Sequence, residues 1–226
     1  MHKNSLYIHS LLSKAIKNKG FASFIVSGGS SPINIFQDLN RSDLDWANIE
    51  VSLVDDRSVD MHHDDSNEKL INEKLLVNNA SDASFVSLKS EPSRVYKINQ
   101  PYDLMLLGMG EDAHFASLFP SMIKSNIEYF KIDSMPEIIY TQPMGNPLHE
   151  RISMNLAMIL NSKSITFFGL GGSGPVALDA QHKFFRFGVP VVAHTDYINQ
   201  RMIASMMKEG DLLVLISFTG RTTEIV

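Results

Sequence analysis

The feature that most constrains this chain is a repeated switch of period, in which a short apolar run ends in small or polar residues and a stretch with helical spacing follows. Phe21-Ala22-Ser23-Phe24-Ile25-Val26 gives way to Ser27-Gly28-Gly29-Ser30-Ser31-Pro32 and then to a helix through Phe36 and Leu39. Val51-Ser52-Leu53-Val54 leads to Asp55-Asp56-Arg57, and Asp103-Leu104-Met105-Leu106-Leu107 leads to Gly108-Met109-Gly110, with helices expected over 66–77 and 112–118. Upstream, Leu6, Leu11, Leu12, Ala15 and Ile16 lie near helical spacing, and Lys17-Asn18-Lys19-Gly20 supplies a cationic last turn and a glycine stop. Beyond Asn161 the rhythm quickens, with strands at 164–168, 190–194 and 211–216 and helices at about 175–187 and 197–208. Strand and helix in alternation predict an α/β fold, a mostly parallel open sheet with helices on both faces. Such sheets bind ligands outside the carboxyl ends of their strands, and each polar motif above stands at such an end. Residues 133–150, with Pro136, Pro143 and Pro147, read as a long irregular connection.

Composition narrows the chemistry. With 226 residues, 44% of them hydrophobic, the chain has material for a packed core. The absence of cysteine excludes disulfides, thiolate nucleophiles and cysteine-ligated metals. A net charge of −5 without a block of lysine or arginine gives no footprint for a phosphodiester backbone, so no nucleic-acid partner is expected. No apolar run approaches the ~20 residues of a membrane span, so no membrane partner is expected. The opening Met1-His2-Lys3-Asn4-Ser5 lacks an export signal's apolar core, which makes the cytoplasm the expected location.

Six patterns are candidates to carry function. In Ser27-Gly28-Gly29-Ser30-Ser31-Pro32, glycine lets the backbone approach an anion closely and the amides and hydroxyls supply donors at a helix start; a plain tight turn with a serine cap is the alternative. In Asp55-Asp56-Arg57, the planar fork of Arg57 suits a phosphate or carboxylate while an aspartate holds it, against a structural ion pair as the alternative. In Gly108-Met109-Gly110-Glu111-Asp112-Ala113-His114, an imidazole follows a strand end and two glycines, beside unpaired amides. A neutral imidazole with a pKa near ~6.5 can take a proton from water, and Asp112 is the candidate to orient the ring or the ligand. Gly169-Leu170-Gly171-Gly172-Ser173-Gly174 imitates a dinucleotide fingerprint, but Pro190-Val191-Val192-Ala193-His194 closes the next strand without an acidic residue, so nicotinamide is disfavoured. The loop Ser217-Phe218-Thr219-Gly220-Arg221-Thr222-Thr223 suits a phosphate as well. His62-His63-Asp64-Asp65 has no third ligand at helical spacing and reads as a solvated loop, so neither a metal nor a cofactor is expected.

Residues 5–163 resemble the 6-phosphogluconolactonase family. The likeness runs through Val26 to Pro32, Leu44-Asp45-Trp46, Leu53 to Arg57, Asp65-Ser66-Asn67-Glu68, Leu107 to His114, Ala116-Ser117-Leu118-Phe119-Pro120 and Arg151-Ile152-Ser153. The related glucosamine-6-phosphate deaminases share the glycine loop and the histidine, but they typically follow it with alanine-phenylalanine-asparagine-glutamate-proline, so a deaminase ranks below a lactonase. The resemblance implies a Rossmann-like sheet, a phosphorylated sugar lactone as substrate, and His114 as the general base that activates water without a metal. It further implies that Ser27, Gly28, Gly29, Ser30 and Ser31 hold the sugar phosphate, that Asp55, Gly108 and Gly110 line the site, and that Arg57 and Arg151 serve the anion or oxyanion. Ala113 stands where the family carries glycine.

From about Lys163 the likeness changes. Residues 165–226 resemble the sugar isomerase (SIS) domain of RpiR-type transcriptional regulators, through Gly169 to Gly174, Asp179-Ala180-Gln181-His182-Lys183-Phe184, Gln200-Arg201-Met202 and Ser217 to Thr222. There the resemblance implies a second phosphosugar site at Ser173, Ser217, Thr219 and Thr222, and a non-catalytic phosphosugar-binding module as the alternative function. The expected organisation is a lactonase-like region over 1–163 and a partial SIS-like segment over 164–226 that continues the same sheet. The lactonases' closing Gly-x-x-Lys phosphate contact has no counterpart, and an exposed strand edge in the shortened segment invites pairing into a homo-oligomer.

Overall fold

The computed structural model describes residues 3–95, 98, 102–108, 116–117, 138–141, 151–154, 163–185, 189–208 and 210–216. In chain order the strands are β1 (Ala22–Val26), β2 (Ile49–Leu53), β3 (Asp55–Arg57), β4 (Ser84–Val86), β5 (Leu104–Leu106), β6 (Ile138–Thr141), β7 (Arg151–Met154), β8 (Ser164–Gly169), β9 (Val191–His194) and β10 (Asp211–Ile216). The α-helices are α1 (Lys3–Lys19), α2 (Ile33–Leu39), α3 (Asn67–Lys74), α4 (Pro92–Val95), α5 (Gly174–Phe184) and α6 (Tyr197–Met206).

Four parallel strands, in the order β4-β2-β1-β5, form the first sheet. Every residue of β1 is buried, as expected for a central strand covered on both faces. Phe24 and Ile25 leave its opposite faces and pack with Leu12 of α1, Phe36 and Leu39 of α2, and Ile71 of α3 in one core. Each of these side chains contributes roughly 1.5–3 kcal/mol by leaving water. In α1 the buried stripe contains Ile8 and Leu12, whereas Leu6 is 51% exposed. The helix ends as expected, with the Gly20 amide closing on the Ile16 carbonyl at 2.7 Å and Lys19 reaching Asp103 at 2.8 Å.

A second parallel sheet, β10-β8-β9, carries its own core of Ile165, Phe167, Ala177, Ala180, Phe184 and Val191. Phe167 and Phe184 meet edge to face with centroids 5.1 Å apart, the arrangement that ring quadrupoles favour. Leu107, just past β5, packs against both cores.

The third sheet departs from the sequence expectation. Asp55-Asp56-Arg57 is not a loop but the short strand β3, paired antiparallel with β7, which pairs antiparallel with β6. The connection expected to be irregular over 133–150 therefore contains a strand at Ile138–Thr141, a β-branched and aromatic run suited to one. The helix expected over 66–77 ends at Lys74.

Candidate active site

The carboxyl ends of β1 and β5 are joined through one side chain. The Ser27 amide donates to the Leu106 carbonyl at 2.9 Å, and the Gly108 amide donates back to Ser27 Oγ at 3.0 Å. The buried Ser27 hydroxyl thus fixes the start of the glycine loop against the start of the segment that leads to His114. Gly28 lies against Asn67 so closely that a Cβ there would fall inside the Asn67 side chain. Gly29 has open space around it but a φ of +88°, a conformation that L side chains resist. Ser30 and Ser31 are exposed, ahead of α2.

Asp56 is fully buried and anchors the next motif. Its carboxylate accepts from the backbone amides of Asn67 at 2.6 Å, Glu68 at 3.2 Å and Arg57 at 2.8 Å, and pairs with Lys89 Nζ at 2.8 Å. An anion at the amino terminus of α3 satisfies amides that the helix leaves unpaired. Ser66 caps the same helix, its Oγ accepting from the Lys69 amide at 3.3 Å. Lys89 also donates to Ser66 Oγ at 3.1 Å and to the Val59 carbonyl at 3.2 Å, and Ser87 Oγ donates to Glu68 at 2.8 Å.

This network corrects the expected partner of Arg57. Asp56 is committed to α3 and receives only the backbone amide of Arg57. The guanidinium instead donates through Nη1 to Asn67 Oδ1 and, at 3.3 Å, to the Asp65 carbonyl. Asn67 completes the link by donating from Nδ2 to the Asp55 carbonyl at 2.8 Å. The buried Asp55 carboxylate accepts from Ser117 Oγ at 2.6 Å, which draws residues 116–117 to the same place. Ala116 holds a φ of +50° there.

The antiparallel ribbon brings a second arginine into register with the first. Arg151 is the register partner of Arg57, and Ser153 that of Asp55. Sequence reasoning named both arginines but not their pairing, and it missed Asn67, Lys89 and Ser117 as parts of the site. Asp65-Ser66-Asn67-Glu68, a cap residue before a helix start, was the available signal for Asn67.

Asp112, His114 and Gly110 lie outside the described residues, as do Ser217, Thr219 and Thr222. Ser173 stands buried at the start of α5, its amide donating to the Leu170 carbonyl at 3.0 Å. Around 62–65, the His62 amide donates to Asp60, the Asp65 amide donates to His63 Nδ1, and Asp64 pairs with Lys69. Among the described residues no group of three or more histidine or carboxylate side chains is placed to hold a metal, and no helix is long and apolar enough to cross a membrane.

Comparison with known proteins places this geometry. Residues 1–183 match the family of glucosamine-6-phosphate isomerases and 6-phosphogluconolactonases. The chain belongs to that family. Within it, the 6-phosphogluconolactonase of Helicobacter pylori is 37% identical over 168 residues, covering 70% of each chain. The crystal structure of a 6-phosphogluconolactonase from Shewanella baltica superposes with a TM-score of 0.68 at 30% identity, over 86% of this chain and 92% of that one. Residues 158–226 match the SIS domain, so the two family matches overlap on β8 and most of α5. Over 69 residues, 30% of this chain, the sequence is 58% identical to the HTH-type transcriptional regulator HexR of Pseudomonas aeruginosa, of which it covers 24%. The glycine loop, the Asp55-Asp56-Arg57 strand, Asn67 and Ser117 all fall inside the lactonase-family match.

Proposed function

We propose that this protein is a 6-phosphogluconolactonase, hydrolysing 6-phospho-D-glucono-1,5-lactone to 6-phosphogluconate in the pentose phosphate pathway. The observation that carries the reading is the Arg57 guanidinium held by Asn67 beside the Gly28 loop. An anionic substrate suits a planar guanidinium held beside a glycine loop.

In this reading His114 takes a proton from water as the new oxygen–carbon bond forms at the lactone carbonyl, and Asp112 orients the imidazole. Arg57 and neighbouring amides stabilise the oxyanion of the tetrahedral intermediate. Collapse of the intermediate breaks the ring ester bond, and the imidazolium returns its proton to the departing ring oxygen. The carboxylic acid then ionises to solvent. Ser27, Gly28, Gly29, Ser30 and Ser31 hold the phosphate, Gly108 and Gly110 let the chain pass close to the sugar, and Arg151 shares the anion. An imidazole and water suffice for this chemistry, so the reading requires neither metal nor cofactor.

Residues 164–226 take the place of the lactonases' closing strands and continue one body with residues 1–163. This is supported by Leu107 packing into both cores, and by a structural match spanning 86% of the chain where the sequence match to the Helicobacter enzyme spans 70%. The protein works in the cytoplasm, independently of nucleic acid, and β9, at the edge of its sheet, is where two copies pair. The test is loss of fresh 6-phosphogluconolactone faster than its spontaneous hydrolysis. His114→Ala lowers that rate by roughly 10²-fold to 10⁴-fold, and an unchanged rate rejects the base assignment.

The 58% identity to HexR favours a second reading, a non-catalytic phosphosugar-binding module using Ser173, Ser217, Thr219 and Thr222. In that case a phosphosugar raises the melting temperature, Ser217→Ala abolishes the rise and His114→Ala leaves it intact. A third assignment, glucosamine-6-phosphate deaminase, predicts release of ammonia from glucosamine 6-phosphate.

A further inference from the structure

We infer that Asn67 is the positioning residue of the anion site, acting through Arg57. The inference rests on the lactonase reading for its substrate and on geometry for its mechanism. Asn67 uses its backbone amide and both ends of its carboxamide within the site. Its backbone amide is held by Asp56 at 2.6 Å, its Nδ2 donates to the Asp55 carbonyl at 2.8 Å, and its Oδ1 accepts from Arg57 Nη1. The amide group is therefore fixed in both position and rotational sense, because a flipped amide would set Nδ2 against the guanidinium and Oδ1 against a carbonyl. The residue is only 3% exposed, so neither contact is exchanged for water without cost.

One edge of the guanidinium is held by Asn67 and the Asp65 carbonyl. In this reading the other edge, Nη2 and Nε, takes the anion. A guanidinium is planar, so holding Nη1 sets the direction in which the other N–H groups point. The same carboxamide, with Oδ1 and Cγ nearest, fills the space where Gly28 lacks a Cβ, so one side chain sets the distance between the glycine loop and the arginine. Arg57 and the phosphate loop are thus registered to each other by one residue on a third element, α3.

The test is a double-mutant cycle with Asn67→Ala and Arg57→Ala, read as KM and kcat on fresh 6-phosphogluconolactone. Positioning through Arg57 predicts that Asn67→Ala raises KM by about 10-fold in the wild-type background, with a smaller change in kcat, and by less than about 2-fold when Arg57 is already alanine. Equal factors in the two backgrounds would mean that Asn67 serves the fold alone, and would overturn the inference. If Asn67→Ala does not fold, Asn67→Ser, which replaces the carboxamide with a hydroxyl that suits the helix start, takes its place in the cycle. If the wild type does not hydrolyse the lactone, the lactonase reading fails by itself, and the cycle is read from the Kd of 6-phosphogluconate by calorimetry. The same non-additivity in Kd upholds the role of Asn67, and additive changes, or no binding by the wild type, overturn it.

Discussion

Gly28→Ala tests the site where sequence and packing meet most closely. The added Cβ would fall inside the Asn67 carboxamide and 2.8 Å from its Cβ, so rotating the amide does not relieve the clash. The Asn67 backbone cannot retreat easily, because Asp56 holds its amide at 2.6 Å and thereby holds the start of α3. Overpacking of this kind costs ~1–3 kcal/mol. Displacing Asn67 also breaks its bonds to Asp55 and Arg57, a further ~1 kcal/mol for the neutral one and ~2 kcal/mol for the charged one. A loss of about 4–6 kcal/mol in a chain of this length lowers the thermal midpoint by ~8–24 °C. Gly29→Ala is the control. Its Cβ would meet nothing within 4 Å, so only the φ of +88° counts against it, ~1 kcal/mol and a shift of ~2–4 °C. Circular dichroism melts of the two variants beside the wild type decide the matter. Equal shifts, or a Gly28→Ala midpoint within about 2 °C of wild type, would refute the argument from close approach.

Three other outcomes are expected. Lys89→Met leaves the fully buried Asp56 carboxylate without its cation, costs roughly 3 kcal/mol and lowers the melting midpoint by ~6–12 °C; a drop under about 2 °C would show that the amides of α3 suffice. Ala116→Gly relieves ~1 kcal/mol of backbone strain at φ +50° but gives up ~0.8 kcal/mol of buried methyl, so urea denaturation should find it within ~0.5 kcal/mol of wild type, whereas Ala22→Gly inside β1 costs ~1–2 kcal/mol. Asp211 is held below its ordinary pKa of 3.8 by the Lys208 amide and then by the Ser164 hydroxyl. A depressed folded-state pKa contributes stability that is complete above the unfolded value and fades as the pH falls through the folded one. Asp211→Asn should therefore flatten the stability profile below pH 3.8 and leave its slope above that pH unchanged, which denaturation at a series of pH values would show.

The parallel strands were legible because each is an apolar run with its own stop signal; Phe21 to Val26 followed by two glycines admits few other foldings. Local periodicity also found α1 and most of its inward face, since Leu12, Ala15 and Ile16 pack on the core, but it misplaced Leu6, which faces solvent, and missed the buried Ile8. The antiparallel ribbon was not legible. Asp55-Asp56-Arg57 has poor intrinsic strand character, and what makes it a strand is pairing with Arg151–Met154, far along the chain. For the same reason the grip on Arg57 could not be assigned from sequence. Two adjacent aspartates look like its natural partners, but helix α3 claims the Asp56 carboxylate and leaves the guanidinium to an asparagine ten residues away.

The Arg57–Arg151 pairing also sets an order of assembly. During synthesis at ~5–20 residues per second, β1, β2 and α3 can collapse around Phe24 well before Arg151 leaves the ribosome, some 5–20 seconds after Arg57. The nascent amino-terminal half can therefore gain a hydrophobic interior while its arginine still waits for a counterpart. A chain cut short between the two strands would keep much of its first core and lose the ribbon, so shape and ligand recognition would part company at a definite point in translation.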